Sequence, residues 1–389
     1  MTRTAAARRN AATALTAAAA LALLPSTTAH ADSVRAQQWG LDAMHTDEAW
    51  RTTKGKGITV AVLDTGVDDT HPDLKGNVLP AKDFVGFGAE RGDRSWARHG
   101  TAMAGIIAGH GHGPGGDDGV LGIAPEAKIL PVRVILEDGD PARKEARSSR
   151  GSALADGIRW AADHGADVIN LSLGDDSATA HPEATEDTAV QYALKKGSVV
   201  VASAGNGGKK GDHISYPAAY PGVITATAVD RYLHRAPFST RRWYATVSAP
   251  GNAIAIADPD RTYYSGWGTS AASAFVSGAV ALVRAAHPGL TPAQIKQLLE
   301  DTARDAPSGG RDDSLGFGFV DPAAAIREGD SLKPEGLRSA TYSEKFFGTG
   351  PDTPDGDAST GWVGPVAGGL GFALLAAAVY LWRGRRTLR

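Results

Sequence analysis

Five short, predominantly apolar runs, at residues 58–63, 129–135, 167–173, 198–202 and 223–229, are separated by stretches long enough to hold helices. Runs that stay apolar on both alternating faces belong to strands covered on both sides, which is the environment of a parallel sheet between helical layers. Residues 152–164 and 187–196 are patterned as helices, and each is followed by a glycine, Gly165 or Gly197, where a C-terminal cap belongs. The expected fold class is therefore α/β, three layers around a mostly parallel central sheet. Sites in such sheets form at the carboxyl ends of strands, so those ends are where chemistry is sought.

The strongest candidate is Ser270, in Gly266-Trp267-Gly268-Thr269-Ser270-Ala271-Ala272-Ser273, followed directly by an apolar run at 275–283. A glycine-rich approach delivers this serine to the start of a helix, where unpaired N–H groups and the helix dipole favour a developing negative charge. A serine nucleophile needs a base, a group that orients the base, and a second oxyanion donor. Asp64 directly follows the run at 58–63, His99 stands in Arg98-His99-Gly100-Thr101, and Asn206 follows another strand end in Ala204-Gly205-Asn206-Gly207. Singly, each has an ordinary reading as a cap, a surface histidine or a left-handed turn residue. Together, at element boundaries of one α/β domain, they form a coherent set.

Composition narrows the classes. The net charge of −3 gives no nucleic-acid footprint, and the absence of cysteine removes disulfides, thiolate catalysis and cysteine-ligated zinc. Arg3, Arg8 and Arg9 precede an apolar stretch at 11–24, and Ala29-His30-Ala31 follows, so residues 1–31 read as a signal peptide for the general secretory route. Residues 362–382 carry no charge and, as a helix, span about 30 Å, the thickness of a hydrocarbon core. Arg383, Arg385, Arg386 and Arg389 follow. They mark residues 383–389 as a basic cytoplasmic tail, and the expected location is a cell membrane, crossed once, with the main domain outside. Residues 329–361, rich in Gly, Pro, Asp, Ser and Thr, read as a linker, and residues 32–328 as the catalytic domain. Gly329-Asp330-Ser331-Leu332 spells a lipase-family motif but sits at the exit of the domain and is assigned to the linker.

Asp64-Thr65-Gly66 with His71-Pro72-Asp73-Leu74, His99-Gly100-Thr101, Asn170-Leu171-Ser172-Leu173-Gly174, Ala204-Gly205-Asn206 and Gly268-Thr269-Ser270 resemble the successive signatures of the subtilases, the subtilisin-like serine peptidases. The order Asp, His, Ser is that of subtilisin and is carried over from the family. The resemblance implies a subtilisin-like fold and a serine endopeptidase acting on protein or peptide. In it Asp64, His99 and Ser270 form the triad and Asn206 supplies the oxyanion hole. Ser172, Leu173 and Gly174 pair with extended substrate, and Ala204 and Gly205 line the pocket before the scissile bond. No cofactor or metal is needed for this chemistry. Asp73 matches a position that helps bind calcium in some subtilases, with an irregular matching loop near Asp117 and Asp118, so a structural calcium is a possibility there; His110 and His112 have an HxH spacing without an obvious third ligand.

The order of signal peptide, subtilase domain, short linker, membrane helix and tail, with Gln37-Gln38-Trp39-Gly40-Leu41, is similar to the mycosins, the membrane-anchored subtilases of type VII secretion. That resemblance implies a type VII secretion membrane complex as partner. The absence of cysteine departs from it. Ala274 departs from the proline usual four residues after the nucleophile, and restores a backbone donor. The short interval between Ala31 and Asp64 leaves no expected room for a folded inhibitory prodomain. Residues 137–150 are an irregular charged segment that reads as a solvated loop or, because the equivalent position in the family lies near the substrate cleft, as a rim controlling access or an autocleavage site. Two rival functions stay open as well: a subtilase-fold scaffold for a secretion complex, and a general surface-tethered protease.

Overall fold

A computed structural model of the chain describes residues 34–336 apart from Arg94. The expected signal peptide, the membrane helix, the tail and the linker beyond 336 lie outside the described residues. Eleven strands are described: β1 (Thr59–Asp64), β2 (Lys82–Asp83), β3 (His110–His112), β4 (Asp118–Leu121), β5 (Lys128–Arg133), β6 (Val168–Leu171), β7 (Val199–Ser203), β8 (Ile224–Val229), β9 (Val247–Pro250), β10 (Asn252–Ala257) and β11 (Tyr263–Trp267). The longer helices are α1 (Arg98–Ala108), α2 (Ala153–Asp163), α3 (Ala184–Lys196), α4 (Thr269–Ala286), α5 (Pro292–Asp301) and α6 (Pro322–Gly329).

Seven strands form one sheet in the order β2-β5-β1-β6-β7-β8-β9, with every neighbouring pair parallel. The five expected runs are β1, β5, β6, β7 and β8, each shifted by a residue or two at its ends. The sheet gains β2 and β9 at its edges, and β3–β4 and β10–β11 form separate antiparallel pairs. β1 lies between β5 and β6, so successive crossovers leave it in opposite directions; the carboxyl end of β1 is the point where a parallel sheet opens a crevice. Asp64 occupies that end.

Side-chain alternation along β1 decides which way Asp64 faces. Val60 and Val62 belong to the large core shared with α1 and α4, whereas Leu63 faces Gly157 of α2 in the other layer. Asp64 keeps the parity of Val60 and Val62 and so turns toward α1, the helix that carries His99. Gly100 is needed for that approach: a Cβ there would come within 1.9 Å of the Gly66 carbonyl oxygen.

α4 runs through the core for 18 residues, nearly all of them buried, which explains an apolar composition on every side. Among the described residues it is the helix long and apolar enough to cross a membrane, and 83% of it is buried inside the domain. Each large aliphatic side chain it buries stabilises the fold by about 1.5–3 kcal/mol. A buried polar seam sets its position along the sheet. Ser273 and Ser277 both donate to Asn170 Oδ1 of β6, at 3.1 and 3.0 Å, and Asn170 Nδ2 donates to Ser172 Oγ at 2.9 Å. Sliding α4 would break these bonds inside the core, so the seam fixes where its first turn, and Ser270, emerges.

Candidate active site

The carboxyl ends of β1, β6 and β7 and the first turns of α1 and α4 surround a cleft of about 740 Å³. Asp64, His99, Ser172, Leu173, Gly174, Gly205, Asn206 and Ser270 all line it. Ala204 stands apart: it is fully buried behind Gly205, with its carbonyl accepting from the Tyr244 hydroxyl at 3.2 Å.

Asp64 is 1% exposed, and its carboxylate receives His99 Nδ1 at 2.8 and 2.9 Å and the Thr65 amide at 2.8 Å. An ionised carboxylate only accepts, so Nδ1 carries the proton and Nε2 of the neutral ring carries the lone pair. Ser270 is the second residue of α4 and half-buried. Its Oγ donates to the Ser172 carbonyl at 3.1 Å and makes no hydrogen bond to His99 in this rotamer. Ser172 Oγ in turn donates to the Ser270 carbonyl at 2.9 Å, so the two residues clamp each other across the cleft floor.

Asn206 is oriented by Thr269. The asparagine Oδ1 accepts from the Thr269 amide at 3.0 Å and the Thr269 hydroxyl at 3.1 Å, which leaves the Nδ2 donors for the cleft. Its backbone amide is tied to Asp176 at 2.8 Å. Gly268, at φ +142°, turns the chain into α4, and a Cβ there would lie 3.7 Å from Ser270 N and 3.8 Å from Asn206 Nδ2. The glycine thus keeps open the space onto which two N–H donors converge, and an anionic oxygen in that space would receive both. Ala274 is buried within α4, which continues unbroken past it.

Several residues shape this site through roles that local patterning does not reveal, even where they fall inside the motifs quoted above. Thr269, Asn170, Ser273 and Glu137 act on partners 63, 103 and 38 residues away, distances over which periodicity carries no information. An asparagine in the middle of the apolar run at 167–173 is the one available hint of the seam. The segment 137–150 is not irregular throughout, as its composition suggests: Arg143–Ser149 forms a helix, and Ala146 packs on Val85 and Leu136. Apolar contact made with a distant loop supplies the order that a charged sequence hides. Glu137, Asp138 and Arg143 stand on the cleft rim.

The residues near Asp73 do not fit a calcium ion. Asp73 is fully buried, and its oxygens accept from His112 Nδ1 at 2.5 Å, the Val120 amide at 2.8 Å and the Tyr263 hydroxyl at 2.8 Å. His110 and His112 lie in β3, and Arg35 donates to the carbonyls of Gly116 and Gly119, both at 2.7 Å. Protein donors and a guanidinium therefore hold the oxygens that a hard cation would need. Asp73→Ala is expected to cost about 3 kcal/mol of stability, because it strands the buried Val120 amide and the part-buried His112 and Tyr263 donors; thermal and urea unfolding measure it.

Among known proteins, the subtilase family profile matches residues 55–318. The thermophilic serine proteinase of Bacillus sp. (strain AK1) is 42% identical over 267 residues, 68% of this chain and 61% of that protein, so the chain spans less than two thirds of this relative. The crystal structure of MycP1 from Mycobacterium smegmatis is 29% identical with a TM-score of 0.64, covering 82% of this chain and 90% of that one. The MycP3 protease from the type VII (ESX-3) secretion system is 31% identical with a TM-score of 0.61, covering 74% and 88%.

Proposed function

The chain belongs to the subtilase family, and from that membership we propose that it is a serine endopeptidase in which Ser270 is the nucleophile, His99 the general base and acid, Asp64 the orienting carboxylate and Asn206 an oxyanion donor. The observation that carries the assignment is the bond from His99 Nδ1 to a buried Asp64, at 2.8 Å, in the cleft that Ser270 enters from a helix start. For reaction Ser270 Oγ leaves the Ser172 carbonyl for His99 Nε2, which removes its proton as Oγ attacks the peptide carbonyl carbon. The oxyanion receives the Ser270 amide and Asn206 Nδ2. Collapse expels the amine, protonated by His99, and leaves an acyl-Ser270 ester. Water, deprotonated by the same imidazole, then releases the acid and restores Ser270. Extended substrate pairs with the main chain of Ser172, Leu173 and Gly174, with Gly205 beside the residue before the scissile bond. Labelling by a fluorophosphonate tests the assignment: the wild type is expected to label and Ser270→Ala is not.

Burial disfavours the charged imidazole, but the charge and hydrogen bond of Asp64, with Glu137 and Asp138 nearby, outweigh it and push the His99 pKa up to about 9. The base works only when neutral, so activity is lost as pH falls through this raised pKa. The acid limb of kcat/KM is therefore expected well to the alkaline side of the ordinary histidine value of about 6.5. A pH profile on a peptide substrate measures it; a limb at or below that value would contradict the electrostatics of the site.

The likeness to MycP1 and MycP3 supports the finer reading: an enzyme held by residues 362–382 in a bacterial cell membrane, its domain outside, working with a type VII secretion membrane complex. A scaffold role within such a complex is the second reading, favoured by the same likeness. Secretion measured in a strain carrying Ser270→Ala and in a deletion strain separates them. Loss in both supports proteolysis as the function, and loss in the deletion alone supports the scaffold.

A further inference from the structure

We propose that Glu137 is a positioning residue for the reaction, capping from a distant loop the helix that carries His99 and setting the charge that the imidazole meets. The inference rests on the assignment of His99 as the base. α1 begins without a cap of its own: its N-cap residue, Ala97, has no acceptor, and no acidic residue lies in its first turn. Its leading amides would otherwise be left without partners. Glu137 Oε1 accepts from the His99 amide at 2.7 Å and from the Thr65 hydroxyl at 2.7 Å, and Thr65 Oγ accepts from the Gly100 amide at 3.1 Å. One carboxylate thus ties together the chain after β5, the turn that follows Asp64 and the first turn of α1, whose positive dipole end suits an anion.

The position of Glu137 is itself fixed. Leu136 before it is buried against Ala146 and Val85, and Asp138 after it pairs with Arg143 at 2.7 Å. The charged and titratable groups that share the cleft with His99 are Asp64 from β1, Glu137 and Asp138 after β5, Arg143 in the rim helix, Asp176 after β6, and Lys210 and His213 after β7. Arg98, next to His99 on α1, is engaged by Asp258 at 2.6 Å. Glu137 differs from the others in holding the main chain of His99 while also contributing charge. Disturbing it moves the base and changes its protonation at once.

The test compares wild type, Glu137→Gln and Glu137→Ala by kcat, KM and kcat/KM against pH on a chromogenic peptide, with circular dichroism to establish folding. Gln keeps an oxygen that can accept from both donors and removes the charge. The acid limb of Glu137→Gln is expected to move down by about half a pH unit to one unit. Glu137→Ala loses the cap as well, and its plateau kcat is expected to fall about tenfold with KM little changed, with Glu137→Gln recovering most of that loss. An acid limb of Glu137→Gln that superimposes on the wild type overturns the proposal, and so does a Glu137→Ala plateau equal to wild type. If Glu137→Ala does not fold, the limb of Glu137→Gln decides. A wild type that neither labels with fluorophosphonate nor cleaves peptide overturns the parent assignment; an active wild type with an unshifted Glu137→Gln overturns this inference alone.

Discussion

Ser270→Ala is expected to lower kcat by about 10⁶-fold, the size of the same truncation in subtilisin, while the unfolding transition stays close to that of the wild type. The two halves of this expectation have separate causes. The hydroxyl is the group proposed to form the acyl bond, and the base, its carboxylate and the oxyanion donors act only on a nucleophile. The fold, in contrast, does not depend on the hydroxyl. Its one hydrogen bond is to the Ser172 carbonyl, at 3.1 Å on the cleft wall, where water can take its place. The bonds that hold the turn use the main chain of Ser270 and the side chains of Ser172, Asn170, Ser273 and Ser277, all of which remain. A residual rate about 10³–10⁴ above that in water is expected from the oxyanion donors and substrate binding. Adding His99→Ala to Ser270→Ala is expected to cost almost nothing further, because the two act as a unit. Peptide hydrolysis and thermal melts on the single and double variants measure both halves. A single variant that keeps more than about a hundredth of wild-type kcat would place the nucleophile elsewhere.

The features legible in the sequence are those whose cause is local. β1, β5, β6, β7 and β8 are apolar because they are covered on both faces, and α2 and α3 end at Gly165 and Gly197 as expected. Asp64, His99 and Ser270 stand at element boundaries that the same patterns mark. What patterning cannot supply is the support around them. Thr269 turns the Asn206 amide toward the cleft, Asn170 pins α4, and Glu137 caps α1, and each does so through contacts that exist only once distant segments meet. β2, two residues long and exposed, and β9 escape the apolar-run criterion. The helix Arg143–Ser149 is concealed by its charge, because its order comes from one buried alanine face. Asp73 marks a further limit. Its motif points to calcium, while the His112 ring, the Val120 amide and the Tyr263 hydroxyl turn it into an acceptor for protein donors.

Asp64→Asn is expected to cost about 10⁴-fold in plateau kcat, the size seen when the carboxylate of a Ser-His-Asp triad is made an amide, and the site explains why so small a change does so much. Asp64 has two acceptor duties, to the Thr65 amide at 2.8 Å and to His99 Nδ1 at 2.8 and 2.9 Å. An asparagine carries one oxygen. With that oxygen kept on the Thr65 amide, whose donor is fixed in the chain, its NH₂ faces His99 Nδ1. Two donors cannot pair, so Nδ1 must accept and the ring proton moves to Nε2, the nitrogen that has to receive the proton of Ser270. The base is present but in the wrong tautomer. The charge is lost as well, which removes the largest influence raising the His99 pKa, so the acid limb is expected to move down as the plateau collapses. The side chain is 1% exposed and the replacement nearly isosteric, so the fold is expected to survive, as near-ultraviolet circular dichroism would register. Measured against pH, Asp64→Asn therefore has a signature that a folding defect lacks: a much lower plateau reached at a lower pH. A loss smaller than about tenfold with an unmoved limb would mean that His99 does not act through Asp64, and the proposed triad would fail at its carboxylate.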